Sequence, residues 1–220
     1  MTAKKLRIDI VSDTLCPWCF IGKRRLERAL EILGQPDREI FWHPFQLDAT
    51  IPPEGIDRQL YLTRKFGEEG AKKVYARVEQ AGAEEGIAFA FDKIRKSPNT
   101  LDSHRVIRWA TLENKQNEVA ERLFSLIFVE GADIGDKDVL AGAARDVGLD
   151  SDEVCQKLQS DVDLEDVKRE VEEAHKLGIG GVPAFIIANA GLINGAQPAE
   201  GLAEAITQIT AEQAQQGAAE

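Results

Sequence analysis

Two of the chain's three cysteines stand three residues apart near the N-terminus, in Cys16-Pro17-Trp18-Cys19. At that spacing two sulfurs can close a small disulfide ring across the first turn of a helix. Cys16 then falls at the N-cap and Pro17 at the first helical position, where a missing N–H is harmless and φ is already set. A thiolate on Cys16 would face the unpaired N–H groups of the helix start and the positive end of its dipole, and both favour the anion. Cys19, one turn further in and shielded, is the resolving thiol. The chemistry this predicts is exchange. The Cys16 thiolate attacks a disulfide sulfur and forms a mixed disulfide, which Cys19 resolves. A structural zinc site is the competing reading, and it wants four Cys or His ligands. Cys155 is the only further cysteine, and His43, His104 and His175 show no ligand spacing, so no metal is assigned.

That chemistry needs a strand that ends, and a helix that begins, at Cys16. Residues 6–11 alternate and are β-branched, which reads as a strand; residues 20–30 carry apolar side chains at helical spacing. A Cys pair at such a junction is a thiol redox signature. Gly34-Gln35-Pro36-Asp37 is a turn, and the aromatic-rich residues 39–47 form a second strand, with Pro44 marking a bend or an edge. A right-handed crossover makes these two strands parallel.

From about residue 56 to 178 nearly every segment is helical in pattern. Helices are expected over 57–66, 69–85, 101–115, 118–129, 137–147, 152–159 and 164–177. Asp136 and Ser151 supply N-caps, and Ile87-Ala88-Phe89-Ala90-Phe91 alternates as a short extended segment. Strand character returns at 182–187. A turn at Asn189-Ala190-Gly191 leads into 192–195 and completes a hairpin. Pro198 opens a last helix through Leu202, Ile206 and Ile209, and the tail from Ala211, lacking apolar anchors, is expected to fray. The order is β-α-β, a helical block, then β-β-α. Residues 1–50 and 179–220 are assigned to one α/β domain, and residues 51–178 to an all-helical insertion within it.

Composition agrees with a soluble enzyme-sized core. The chain has 220 residues, 43% apolar and 30% charged, which excludes disordered and fibrous classes. A formal charge of −11 excludes broad binding to nucleic-acid phosphates. No segment approaches the roughly 18–20 apolar residues of a membrane span. The start, Met1-Thr2-Ala3-Lys4-Lys5-Leu6, has no apolar signal core, so the expected location is the cytoplasm, where structural disulfides are rare.

Taken together, Cys16-Pro17-Trp18-Cys19 after strand one, the helical insertion and Gly180-Gly181-Val182-Pro183 before a late strand resemble the DsbA-like branch of the thioredoxin superfamily. Within it, Asp13-Thr14-Leu15-Cys16-Pro17-Trp18-Cys19 and Pro98-Asn99-Thr100-Leu101-Asp102-Ser103-His104-Arg105 are similar to the FrnE-like cytosolic oxidoreductases. The resemblance implies a thioredoxin-like fold and a thiol–disulfide oxidoreductase or protein disulfide isomerase. Its redox centre would be the Cys16–Cys19 disulfide, with no other cofactor required and glutathione a candidate co-substrate. It implies that Pro183 is a cis-proline beside the Cys pair, which would offer the Val182 N–H and C=O to an extended substrate strand. It also implies that Asn99, Thr100 and His104 border the cleft. Read from the residues alone, Asn99 or Thr100 caps the next helix, and His104 is equally a core or surface histidine. His43 sits at a strand end, His175 beside a helix stripe, and Cys155 reads as a small buried hydrophobe.

The dipeptide departs from the periplasmic DsbA pattern, in which a histidine stands between the cysteines, because Trp18 brings no charge. The related kappa-class glutathione transferases and 2-hydroxychromene-2-carboxylate isomerases have Ser at the first position, which Cys16 argues against. Protein thiols and disulfides, or glutathione, are thus the expected partners, with no nucleic acid or membrane. A glutathione-dependent isomerase or transferase and a client-binding, chaperone-like protein are the alternatives.

Overall fold

The computed structural model describes residues 5–217. The N-terminal stretch read above for targeting lies largely outside them. Strand β1 (Leu6–Ser12) runs into helix α1 (Pro17–Ile32) and strand β2 (Arg38–Pro44). Strands β1 and β2 pair in parallel, Leu6 opposite Arg38 and Ser12 opposite Pro44. After the central helices, β5 (Ala184–Ile187) pairs antiparallel with β1, and β6 (Gly191–Asn194) with β5. The four strands lie in the order β2-β1-β5-β6. Strand β2 is therefore an edge, where Pro44 removes no ladder donor. The hairpin turn sits one residue earlier than its sequence suggests. Ala188 and Asn189 both take positive φ and Ala190 N donates to Ile187 O, the twist-matched geometry of a tight hairpin.

Between β2 and β5 run α2 (Arg58–Phe66), α3 (Glu68–Glu84), α4 (Leu101–Trp109), α5 (Gln116–Ser125), α6 (Lys137–Asp146), α7 (Ser151–Leu158) and α8 (Leu164–Lys176). They differ from expectation at identifiable points. The helix expected over 101–115 ends at Trp109, tightens into a 3₁₀ turn over Ala110–Glu113 and stops at Asn114, which is left-handed. Helix α5 widens into a π turn over Leu126–Glu130, closed by Gly131 at φ 75°. Asp150, not Ser151, caps α7, its carboxylate accepting from the N–H groups of Asp152 and Glu153. Asp136 caps α6 in the same way. The extended segment at 87–91 finds no partner strand. Its alternation instead puts Phe89 and Phe91 in a stack of rings with Tyr75. Two short strands, β3 (Ile56–Asp57) and β4 (Lys96–Ser97), pair antiparallel at the base of α2.

Helix α9 (Ala199–Gly217) packs on α1. The expected fraying from Ala211 is not seen over the described residues, because α9 stays helical to Gly217 and Gln213 Nε2 donates to Ala188 O at 2.6 Å. Ile8, Ile10, Phe20, Leu26, Leu30, Phe124 and Phe128 belong to one buried apolar cluster that runs from the sheet through α1 into the central helices. Helices α4, α5 and α8 pack against β2. Among the described residues, no helix is long and apolar enough to cross a membrane.

Candidate active site

Strand β1 stops at Ser12, and three buried residues lead to the helix. Cys16 is the N-cap of α1 with Pro17 directly after it, and Cys19 N donates to Cys16 O at 3.0 Å. Asp13 holds the approach. Its carbonyl accepts from Cys16 N at 2.9 Å, and its carboxylate accepts from Leu15 N at 3.1 Å and Leu47 N at 2.7 Å. Both cysteines are free thiols, 4% and 1% exposed, while Pro17 and Trp18 are half-buried.

The Val182–Pro183 bond is cis, as the resemblance implied. The Val182 carbonyl before it faces Cys16, whose Sγ donates to Val182 O at 3.6 Å. The side chain therefore points to this carbonyl, and it makes no cap bond to the N–H groups of its own helix. Gly22 permits the approach, since a Cβ there would stand 2.7 Å from Pro183 Cγ. Burial pushes the Cys19 thiol well up, and the hydrogen bond and negative charge of Cys16 add to that. The Ser12 hydroxyl and the Asp13 N–H pull the other way and lose. A thiolate on Cys16 thus keeps the proton on Cys19.

The second motif packs against the loop before Cys16. Ser103 Oγ donates to Thr100 O at 2.8 Å, so the hydroxyl of Thr14, 2.7 Å away, donates to Ser103 Oγ. His104 is buried. Its Nε2 lies 3.1 Å from Phe45 O and 3.8 Å from Asp13 Oδ1, and it donates to the former. Thr100 is the N-cap of α4 and makes no side-chain cap bond; Asn99, one residue earlier, accepts from Leu101 N on its Oδ1 at 3.0 Å, and its Nδ2 donates to Ile51 O at 2.7 Å. Among the hydrogen bonds described, Asn99, Thr100 and His104 make none to a sulfur. They brace residues 13–15 and 45–51 around it.

Ser12, Asp13 and Gly22 carry no role in the sequence reading. Only the acidic residue three before Cys16 offered a signal. Cys155, expected buried, is half-exposed on α7, which leaves it outside the core. His175 is exposed, its ring 4.5 Å from Phe45, and His43 pairs with Asp9 at 2.7 Å. No cluster of three or more His, Cys, Asp or Glu side chains among the described residues is placed to hold a metal.

A Cys-x-x-Cys on the first turn of a helix, with the Val182 carbonyl that precedes a cis-proline against its outer sulfur and a β-α-β…β-β-α sheet beneath, places the chain in the thioredoxin-fold class. It belongs to the DSBA-like thioredoxin domain family, which it matches over residues 7–207. An uncharacterized Bacillus subtilis protein, YwbO, is 30% identical over 190 residues, covering 83% of this chain and 86% of that one. A solved structure described as a probable DsbA oxidoreductase from Streptomyces coelicolor superposes with a TM-score of 0.86 at 30% identity, covering 94% and 91% of the two chains. A cytosolic disulfide reductase, DsbM, from Pseudomonas aeruginosa, solved with glutathione, shares the fold at TM-score 0.67 and 18% identity, covering 93% and 99%.

Proposed function

We propose that the chain is a thiol–disulfide oxidoreductase that exchanges disulfides with protein thiols or glutathione, with Cys16 the nucleophile and Cys19 the resolving thiol. The observation that carries this reading is the contact of Cys16 Sγ with Val182 O beside cis-Pro183, with Cys19 buried behind it. A substrate strand laid along Val182 bonds to its backbone and brings its own sulfur to Cys16. The Cys16 thiolate attacks that sulfur in line, and the substrate's other sulfur leaves. Cys19 then attacks Cys16, closing the ring and releasing the substrate thiol. Cys19 is suited to wait, because its burial and the Cys16 charge keep it protonated until Cys16 is consumed.

Asn99, Thr100 and His104 act here as positioning residues, through residues 13–15 and 45–51. Glutathione as a co-substrate gains support from the disulfide reductase neighbour solved with it. The test is reduction of insulin disulfides with glutathione as electron donor. Wild type is active, Cys16→Ser is inactive, and Cys19→Ser accumulates a mixed disulfide at Cys16. Equal turnover by wild type and Cys16→Ser would overturn the reading.

A further inference from the structure

Three lysine or arginine side chains are buried among the described residues: Lys23, Arg58 and Arg105. Lys23 pairs with Glu27 and Glu121, and Arg105 with Asp102. Arg58 is different. Among the described ion pairs it has no carboxylate, although it is 6% exposed and its guanidinium keeps its charge at any pH a folded protein meets. Nη1 donates to Ser97 Oγ at 3.1 Å, and the rings of Tyr61 and Tyr75 lie 5.9 and 5.7 Å from Cζ. The rings soften the burial, but Nε is left without a partner. A buried charge with no counter-ion is costly and calls for a group that completes it.

Arg58 lines a cavity of about 430 Å³ between the start of α2, α3 and residues 91–95. That volume falls within the range of small-molecule sites, about 300–1,000 Å³. The Tyr75 hydroxyl, from α3, is a second buried polar group without a partner, and Tyr75 lines the same cavity. Burial pushes this hydroxyl's pKa up, and the Arg58 charge pulls it down and loses, so it stays a protonated donor. Arg95 adds an exposed cation, and Leu62, Phe91 and Ile94 supply a buried apolar wall. The carboxylates stand outside. Asp57, Glu79 and Asp92 are all exposed, and Asp57 accepts from Leu60 N at 2.9 Å. Donors within and carboxylates at the rim favour a single negative charge on an apolar body and oppose a dianion. An arginine of this chain already grips a carboxylate by its Nε–Nη2 edge, since Arg7 donates to Asp9 at 2.7 and 2.6 Å.

We propose that this cavity is a second binding site, separate from the thiol centre, for a small organic monocarboxylate with an apolar body. The carboxylate lies against the Nε–Nη2 edge of Arg58 and accepts from the Tyr75 hydroxyl, so that both orphan donors gain a partner. The body of the ligand packs on Leu62, Phe91 and Ile94. Charge-assisted, two-pronged bonds of this kind are the strong ones, and the burial of Arg58 keeps competing water away. Neither Cys16 nor Cys19 lines the cavity, so occupancy does not depend on the redox pair.

The experiment is isothermal titration calorimetry of the full chain with 3-phenylpropionate, and with 3-phenylpropanol, which keeps the body and loses the charge. The acid should bind with a Kd of about 1 mM or tighter, and the alcohol and inorganic phosphate at least about tenfold more weakly. Arg58→Lys keeps the charge and loses the fork, and Tyr75→Phe keeps the ring and loses the hydroxyl; each should weaken the acid about tenfold. Tyr75→Phe removes a single oxygen, so it decides the matter even where Arg58→Lys does not fold. Cys16→Ser should bind as wild type does. No heat from the acid up to about 10 mM overturns the site. Equal binding of acid and alcohol, or undiminished binding in Tyr75→Phe or in a folded Arg58→Lys, overturns the carboxylate recognition. Loss of binding in Cys16→Ser would put the ligand at the thiol centre and overturn the proposal as well.

Discussion

Gly22→Ala asks whether the contact between α1 and the Val182–Pro183 segment is as tight as the site requires. The added Cβ would stand 2.7 Å from Pro183 Cγ and 3.3 Å from Phe185 Cζ. On an open helix surface the same change stabilises, by about 1 kcal/mol, because glycine is a poor helix former. Here the neighbours cannot yield. Pro183 is a buried ring whose carbons do not swing aside, and Phe185 is fully buried between β1 and β6. Overpacking of this kind costs about 1–3 kcal/mol, so the gain is cancelled and the net expectation is a loss of up to about 2 kcal/mol. Relief comes by moving α1 away from Pro183, which widens the 3.6 Å approach of Cys16 Sγ to Val182 O. Turnover should therefore fall further than stability accounts for. The assay pairs urea unfolding of the reduced protein with insulin reduction in conditions where every variant is folded. Gly142→Ala is the control, since its Cβ meets only Arg145 Nη2, at 3.7 Å, and it should gain up to about 1 kcal/mol. If Gly22→Ala gains stability as Gly142→Ala does and keeps wild-type turnover, the packing argument is wrong.

Other outcomes follow from the same geometry. Because burial and Cys16 raise the Cys19 thiol, the folded reduced chain holds that proton more tightly than the unfolded chain. The resulting stability is present below about pH 8.5 and is lost as pH rises toward the folded value, at up to about 1.4 kcal/mol per unit; Cys19→Ser should lack this alkaline slope in urea titrations. Burial lifts the Asp9 carboxyl, but hydrogen bonds from Arg7 and His43 outweigh it and leave the group below its usual range. That stability is present above about pH 4 and lost as pH falls through the folded value, and Asp9→Asn should flatten the acid limb of an unfolding profile. Arg105 donates to Asp102 and to the carbonyls of Val162, Lys157 and Ser160, all within 2.9 Å, so Arg105→Ala should cost at least about 3 kcal/mol in urea unfolding. The Cys16–Cys19 potential, followed by Trp18 fluorescence in glutathione buffers, should lie near the thioredoxin value of about −270 mV, and Trp18→His should raise it; a wild-type value near −120 mV would refute this.

The legible parts of the molecule were those with strong local codes. Alternation in residues 6–11, the Cys-Pro-Trp-Cys start of α1 and the apolar-polar order of the hairpin each point to one conformation, and the structure adopts it. The missed parts depend on partners far along the chain. Strands β3 and β4 are two residues each, too short for any period to show, and exist because residues 56 and 97 meet. Ile87 to Phe91 alternates as a strand does, yet its side chains stack with Tyr75 instead of pairing a backbone. Two adjacent capping residues, Asp150 and Ser151, could not be ordered by type alone. At the site, Cys16, Cys19 and Pro183 carry signatures, whereas Ser12 is one serine at a strand end. Its burial beneath the Cys-x-x-Cys turn is visible only in three dimensions.

On the proposed reading, the expected direction of exchange turns on what surrounds the two sulfurs. A dithiol becomes a strong oxidant when its reduced form is stabilised, because the disulfide is then the less favourable state. Little here supplies such stabilisation. Trp18 is uncharged, and the basic residues one turn beyond Cys19 are spoken for: Lys23 is bound to Glu27 and Glu121, and Arg24 to Glu121. The carbonyl of Val182 accepts from Cys16 Sγ, so no cation stands at that contact. Cys19 is raised by burial and by its partner's charge, with no cation among the groups that act on it. If the chain exchanges thiols as proposed, these contacts predict a disulfide that is not strongly oxidising, and the titration in glutathione buffers measures it.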